Sequence, residues 1–202
     1  MSSEREIEAK FYLPHLNDIR KRVLDRGGHL LIPRLLERNL RFDTPDGRLH
    51  ANHEVLRLRQ DSRTTLTYKR SHSAEERTEV ELEVDDFHAA RSLLQALGYR
   101  VVFIYEKYRE TFTLDQTKIM LDELPFGCFV EIEGPSLMVI EQAASSLGLE
   151  WDNRIKPSYL DLFYTLQQHL SLPFADATFD NFSSCPTIEP TDLGLNVFHP
   201  IQ

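Results

Sequence analysis

Short segments in which hydrophobic and polar residues alternate dominate the first two thirds of the chain. Successive side chains of a β-strand point to opposite faces, so this alternation predicts strands with one apolar and one polar face. We predict eight strands, at residues 3–12, 36–43, 54–61, 64–70, 76–85, 100–112, 115–121 and 127–133.

A second pattern, with apolar residues every three or four positions, predicts helices between and after the strands. They fall at residues 15–27, 87–97, 136–147 and 158–170. The strands are separated by short breakers such as Thr44-Pro45-Asp46-Gly47, which favours antiparallel pairing of neighbours. The fold class is therefore predicted to be α+β and mainly antiparallel β, with enough strands to close a barrel.

Composition limits the class of protein. The chain has 202 residues, of which 41% are hydrophobic, and this suits one domain with its own core. We place a domain at residues 1–171 and an extended C-terminal tail at 172–202, where the periodic patterns stop. A net charge of −9 argues against a nucleic-acid surface. Two cysteines, a polar N-terminus and no long apolar run predict a cytoplasmic protein without a membrane span.

The charged residues follow the strand alternation. In the segment EVELEV, Val80, Leu82 and Val84 share one face, and the three glutamates share the other. One such strand is ordinary, but six strands repeat the pattern, and the amphipathic helices also need an apolar surface to cover. We therefore expect the helices to pack outside the sheet and the charged faces to look inward, where they must pair or meet a charged ligand.

The inward charges sort into two chemical groups. Basic side chains suit a polyphosphate, because Arg offers bidentate forks and Lys offers point charges. Carboxylates without His or Cys partners suit a hard cation, Mg²⁺ or Mn²⁺. The bases are Lys10, Arg57, Arg59, Lys69, Lys107 and Arg109. The acids are Glu6, Glu8, Glu79, Glu81, Glu83, Asp122, Glu131 and Glu133. Basic side chains that bind an anion, next to carboxylates that bind a metal ion, are the combination that phosphoryl transfer requires.

These segments resemble one protein family. Glu6-x-Glu8-x-Lys10 is similar to the ExExK signature of the CYTH superfamily, also called triphosphate tunnel metalloenzymes. The family's order continues through FDTPDGRL (42–49), LRLR (56–59), LTYKR (66–70), EVELE (79–83), EKYRETF (106–112), LDELPFGCFVEIEG (121–134) and KPSYLDL (156–162). The resemblance covers residues 3 to about 170. It implies an eight-stranded closed β-tunnel, with helices packed outside, that binds a triphosphate compound and a divalent metal.

The resemblance also implies residue roles. Glu6, Glu8, Glu131 and Glu133 match the metal-binding acids, with Asp122 and Glu81 as supporting residues. Lys10, Arg57, Arg59, Lys69 and Arg109 match the triphosphate-binding bases, and Lys107 joins them. Lys156 matches a late lysine that orients or activates the attacking water in some members. Arg41 has the right alternation for the inner face but is a weaker match.

The favoured function is metal-dependent hydrolysis of a triphosphate, with inorganic triphosphate as the leading substrate. The alternatives are a class IV adenylyl cyclase, which makes cyclic AMP and pyrophosphate from ATP, and a thiamine triphosphatase. A non-catalytic module that binds polyphosphate or nucleotide is a third class. The expected partners are these small molecules, with no nucleic acid and no membrane. A homodimer is one oligomeric state that the sequence allows.

Overall fold

A computed structural model of the chain describes residues 4–72 and 76–195, apart from the side chains of residues 4–6, 76 and 77. Its strands, β1 to β9 in chain order, are Glu4–Leu13, His29–Asp43, Glu54–Gln60, Thr64–Ser71, Glu76–Val84, Arg100–Leu114, Thr117–Leu124, Gly127–Glu133 and Arg154–Ile155. Its helices, α1 to α6, are Asn17–Asp25, Arg48–Ala51, Phe87–Ala96, Leu137–Ser146, Tyr159–Leu170 and Phe179–Phe182. Two 3₁₀ turns occupy Trp151–Asn153 and Pro190–Leu193.

The first eight strands close into a ring. Neighbours pair in the order β5-β4-β3-β2-β6-β7-β8-β1, and β1 also pairs with β5, which joins the two ends. All of these pairings are antiparallel. The two-residue β9 pairs with Lys10 and Phe11 of β1, beyond the residues of β1 that pair with β5. The predicted fold class, a mainly antiparallel β-tunnel with helices outside, is confirmed.

Three apolar clusters lie between the strands of the ring and the helices that cover its outer face. Helices α1 and α4 cover β1, β6, β7 and β8 through residues such as Val23, Ile140 and Phe112. Helix α3 covers β2 and β3 through Phe87 and Leu94. Helix α5 and the chain after it form the third cluster. Because the apolar faces of the strands are occupied by these helices, the polar faces point into the ring.

Strand β2 begins earlier than predicted. It starts at His29 rather than near residue 36, and residues 29–36 read as a poor strand because they contain Pro33. Proline cannot donate a ladder hydrogen bond, and the pairing with β6 shifts register between Leu30 and Ile32 and again between Ile32 and Leu35. The irregular half of β2 projects along β6 beyond the end of β3.

Residues 172–195 pack against the body of the protein. Phe174, Phe182 and Leu193 join the cluster around Phe163 of α5. Ala177 makes a parallel bridge with Tyr105 of β6, and the Asp176 carboxylate accepts a hydrogen bond from the Ile104 backbone N–H. The division of the chain at residue 171 stays a prediction.

No helix in the described part of the chain is long and apolar enough to cross a membrane.

The FDTPDGRL segment has a structural role that explains its composition. The buried Asp43 carboxylate accepts hydrogen bonds from the backbone N–H groups of Thr44, Leu49 and His50, at 2.7, 2.8 and 3.1 Å. Burial alone would raise the pKa of Asp43, but these donors lower it overall. Asp43 therefore holds, as an anion, the turn and α2 that connect β2 to β3.

Candidate active site

The inward faces of the strands enclose a cavity of about 760 Å³. The first turn of α5 covers one end, where Tyr159 and Leu160 are buried and line the wall; we call this the closed end. The β3–β4 turn at residues 61–63 also lines the cavity and is solvent-exposed at Ser62 and Arg63. Leu31 and Ile32, which are 53% and 40% exposed, mark the same outer part, which we call the rim.

Four side chains form a deep charge network, defined here as Lys107, Arg109, Asp122 and Glu131. Asp122 is fully buried and accepts from Lys107 Nζ at 2.9 Å and from Arg109 Nε and Nη2 at 2.6 Å each. The Tyr159 hydroxyl donates a further bond at 2.7 Å. Asp122 does not border the cavity, and both of its oxygens already have protein donors. Its geometry is that of a residue that holds Lys107 and Arg109 in place, whereas its predicted role as a metal-binding acid stays a prediction.

Glu131 belongs to the same network but borders the cavity. It accepts a hydrogen bond from Arg109 Nη2, and Lys10 Nζ lies 3.5 Å from its Oε1. Burial would raise the pKa of Glu131, but Arg109, Lys10 and Lys107 hold it well below its usual range. Glu131 is therefore an anion throughout the neutral range, and Lys10 connects it to the closed end, where its ammonium lies 4.0 Å from the Tyr159 ring centroid.

Two of the predicted metal-binding acids face each other across neighbouring strands. Glu8 of β1 pairs with Glu133 of β8 in the strand register, and both line the cavity. The Glu133 carboxylate also lies 3.2 Å from Lys118 Nζ. The side chain of Glu6 lies outside the described residues. Among the side chains that are described, no group of three or more His, Cys, Asp or Glu is placed to hold a metal ion.

This donor set still suits a magnesium-like ion. Mg²⁺ in phosphoryl-transfer sites is commonly bound by one or two carboxylates together with substrate phosphates and water, rather than by a complete protein cage. Glu8 and Glu133 supply two oxygen donors on adjacent strands, next to a cavity wall rich in bases. The predicted cofactor, Mg²⁺ or Mn²⁺, therefore fits the residues present.

Most of the predicted substrate-binding bases are brought together and paired with acids. Arg59 lies 3.1 Å from Asp61, 3.8 Å from Glu81 and 4.0 Å from Glu37. Lys69 lies 3.1 Å from Glu79. These ion pairs hold the bases along the inner wall, and a bound polyanion would compete with the acids for them.

Arg57 has a different environment. Its guanidinium donates to Thr67 Oγ1 at 3.4 Å and contacts the phenol of Tyr105, which is buried and also lines the cavity. Burial would raise the pKa of Tyr105, but the positive charges of Arg57 and Lys107 lower it overall. Arg41 lies directly opposite Arg57 in the β2–β3 register and lines the same cavity.

The predicted catalytic residues are placed differently from each other. Glu81 lines the cavity and accepts a hydrogen bond from Thr67 at 3.1 Å. Lys156 is exposed and is not among the residues that border the cavity. The predicted role of Lys156 thus has no support from its position.

Sequence reasoning left several residues of the wall unassigned, and three of them contribute most to its charge and to the closed end. Glu37 is 4% exposed and contacts both Lys107 and Arg59, and Tyr105 and Tyr159 shape the closed end. Glu37 shares the alternation of Asn39 and Arg41 within a predicted strand, so the same parity argument would have found it. Nothing in the local pattern marks Tyr159, which reaches the site only because α5 folds back over the end of the ring.

Comparison with known proteins identifies a protein family that this sequence matches. Residues 4–136 match the CYTH domain. A candidate adenylate cyclase of Methanocaldococcus jannaschii is 25% identical over 171 residues, which cover 78% of this chain and 97% of that protein.

Solved structures show the same fold. A candidate adenylate cyclase from Vibrio parahaemolyticus superposes with a TM-score of 0.71 at 21% identity, covering 78% of this chain and 97% of that one. A Pyrococcus horikoshii protein gives 0.67 at 25% identity, with coverage of 76% and 96%. A Hippeastrum candidate adenylyl cyclase, described as having a dominant triphosphatase activity, gives 0.58 at 20% identity, with coverage of 79% and 95%.

Proposed function

Because this chain belongs to the CYTH domain family, we propose that it binds a triphosphate compound in the cavity and hydrolyses its terminal phosphoanhydride bond. Inorganic triphosphate is the favoured substrate. Water attacks the terminal phosphorus, the bond to the bridging oxygen breaks, and the products are orthophosphate and pyrophosphate.

One observation carries this proposal. Six basic side chains on the inward faces of four strands converge on a single cavity, and the protein as a whole is acidic. They are Lys10, Arg57, Arg59, Lys69, Lys107 and Arg109. Bases concentrated in this way, within an enclosed wall, suit a small ligand with several negative charges. Since the transferred phosphoryl group needs positioning and charge neutralisation more than covalent help, such a wall also suits its transition state.

The acids complete the site. Glu8 and Glu133, with Glu6 as a sequence-based candidate, would hold Mg²⁺ or Mn²⁺, which supplies charge neutralisation on the phosphate oxygens when bound. Glu81 lies on the wall close to Arg59 and is our candidate for orienting the attacking water. Asp122 acts indirectly by holding Lys107 and Arg109 towards the cavity.

A cyclase is the second candidate, because Leu31, Ile32 and Leu35 give the cavity an apolar side that an adenine ring would contact. The Methanocaldococcus jannaschii protein is also named as a candidate cyclase. The Hippeastrum protein is described as mainly a triphosphatase, but at 20% identity its likeness shows the fold alone. The same apolar side would suit thiamine triphosphate. A pure binding module is disfavoured by the retained acids Glu8 and Glu133.

The test measures product formation from inorganic triphosphate, ATP and thiamine triphosphate with Mg²⁺ or Mn²⁺. We expect orthophosphate release, fastest from inorganic triphosphate. Glu8→Gln should lower turnover by about a hundredfold, because part of the metal's charge neutralisation is lost, with the melting temperature little changed. Glu54→Gln, on β3 outside the cavity lining, is the matched control. Cyclic AMP without orthophosphate would contradict the proposal, and binding without turnover would favour the module.

A further inference from the structure

Two arginines at the closed end differ from the other bases of the wall. Arg41 and Arg57, here called the closed-end arginine pair, both line the cavity. Among the residues that the structure describes, no carboxylate lies within 4.0 Å of either guanidinium. By contrast, Lys10, Arg59, Lys69, Lys107 and Arg109 each have such a partner. We propose that the pair is a subsite for a terminal phosphate group, so that a substrate enters the tunnel with its free phosphate end first.

The register places the two arginines side by side. Arg41 of β2 and Arg57 of β3 are direct cross-strand partners on the inner face. Their neighbourhood also contains polar atoms that lack a partner: Arg57 Nε is buried without a hydrogen-bond acceptor. Asn39, two residues before Arg41 on the same face, is fully buried, and neither of its amide atoms is hydrogen-bonded. Unsatisfied buried donors of this kind point to an absent ligand or water.

The charges themselves favour an anion here. Like charges placed directly opposite each other on neighbouring strands are destabilising. Burial lowers the pKa of Arg41, and Arg57 contributes in the same direction. Burial would also lower the pKa of Arg57, but Tyr105, Glu37 and Glu79 raise it overall, although neither carboxylate contacts its guanidinium. Asp161 of α5 acts on Arg41 from a distance, but its carboxylate accepts hydrogen bonds from the Ser158 N–H and hydroxyl at 3.0 and 2.7 Å in the helix cap. A bound phosphate would neutralise both guanidinium groups and remove their repulsion.

The shape of the closed end selects which part of a ligand binds. Tyr159 and Leu160 cover it, and Tyr159 is fixed by its hydrogen bond to Asp122. A terminal phosphate carries more charge and more free oxygens than an internal one, so it is the better match for two adjacent guanidinium groups. An organic group, where one is present, would lie towards the apolar rim formed by Leu31 and Ile32.

This inference rests on the proposed function for its ligand class, a triphosphate compound. It adds the direction in which that compound enters the tunnel and a requirement on its structure. The ligand must have one unblocked phosphate end. Inorganic triphosphate and a nucleoside triphosphate satisfy the requirement, whereas diadenosine triphosphate, which has a nucleoside on both ends, does not.

The experiment measures equilibrium binding of inorganic triphosphate and of diadenosine triphosphate by calorimetry, first without metal and then with Mg²⁺. We expect wild-type protein to prefer inorganic triphosphate by about a hundredfold. Arg41→Gln should weaken the binding of inorganic triphosphate by about ten- to a hundredfold. It should leave the affinity for diadenosine triphosphate almost unchanged, because only a free phosphate end uses the subsite. Arg38→Gln, which removes an exposed charge from the outer face of the same strand, is the control and should change neither.

Stability gives a second readout that a purely structural arginine would not produce. Removing one of two opposed charges that make no direct ion pair with a described carboxylate should leave the melting temperature of ligand-free Arg41→Gln unchanged or higher. Arg41→Lys, which keeps the charge but loses the fork, should bind with intermediate affinity. Equal affinities of Arg41→Gln and Arg38→Gln for inorganic triphosphate would overturn the proposal. So would tight binding of diadenosine triphosphate, or a large fall in melting temperature for Arg41→Gln.

The two proposals fail separately. If the wild-type protein binds inorganic triphosphate but turns over none of the substrates, the hydrolase proposal fails while the end-recognition test still gives its answer from binding. If turnover occurs and the Michaelis constant for inorganic triphosphate is the same in Arg41→Gln and wild type, the end-recognition proposal fails while the hydrolase stands.

Discussion

The inner wall has two regions that use buried charge in opposite ways. In the deep charge network, Asp122 and Glu131 neutralise Lys107 and Arg109 within the protein itself. In the closed-end arginine pair, Arg41 and Arg57 lie opposite each other, and no carboxylate of the described residues contacts either guanidinium. The first arrangement neutralises its charges through direct ion pairs within the protein. In the second, Tyr105, Glu37 and Asp161 act on the two arginines without a carboxylate contact, so a bound anion would be their first direct charged partner. Removing a charge should therefore destabilise the first region and leave the second unharmed or more stable.

The largest expected effect comes from breaking the network at its centre. Asp122→Ala leaves Lys107 and Arg109 buried without their main acceptor, and we expect a loss of about 3–5 kcal/mol in the free energy of unfolding. Urea denaturation would measure it. Glu133→Ala is the control: its side chain is 32% exposed and its partner Lys118 is 53% exposed, so a loss of about 1 kcal/mol or less is expected. Similar losses in both variants would remove the contrast between the regions.

A smaller effect should follow acid titration of Glu37, which lies between the two regions. Burial would raise its pKa, but Lys107, Arg109, Arg59 and Arg57 lower it from 4.5 to about 2. Because the folded pKa is below the unfolded one, the ionised carboxylate contributes stability above pH 4.5 that is lost as the pH falls towards about 2. The contribution at neutral pH is about 3 kcal/mol.

This is measured as the difference in unfolding free energy between wild type and Glu37→Gln at several pH values from 7 to 3. We expect the difference to shrink as the solution becomes more acidic, since other carboxylates titrate in both proteins and cancel. Glu83→Gln is the matched control, because Glu83 is 59% exposed and its change should be small at every pH. A difference that stays constant down to pH 3 would mean that the basic neighbours of Glu37 do not lower the pKa of its carboxyl group.

The smallest effect is expected outside both regions. Lys156 is exposed and does not border the cavity, so Lys156→Ala should change kcat by less than about twofold, since a proton-transfer or water-orienting group must lie within hydrogen-bond reach of the reacting atoms. Glu81→Gln, on the wall, should lower kcat by about a hundredfold. Steady-state kinetics would compare the two. A large loss for Lys156→Ala would restore the role that the family resemblance implies for it.

Much of this architecture could be predicted because strands impose a period of two. That period placed Lys10, Arg57, Arg59, Lys69 and Arg109 on one side of their strands, and the structure brings all five to the cavity wall. It failed where the backbone departs from the regular ladder, as at Pro33 and the register shifts of β2. It was also silent about partners: alternation puts Asp122 and Glu131 on the inner face alike, but it does not say that one borders the cavity and the other lies behind it.

The sequence by itself determined the antiparallel sheet, the helices outside it and the inward direction of the charges, because each follows from local periodicity and from the need to cover apolar faces. Only the tertiary structure decided which charges meet. Ring closure by β1 and β5 and the return of α5 over one end depend on contacts between residues far apart in the chain. Those contacts pair Asp122 with Lys107, Arg109 and Tyr159, and they leave Arg41 and Arg57 facing each other at the closed end.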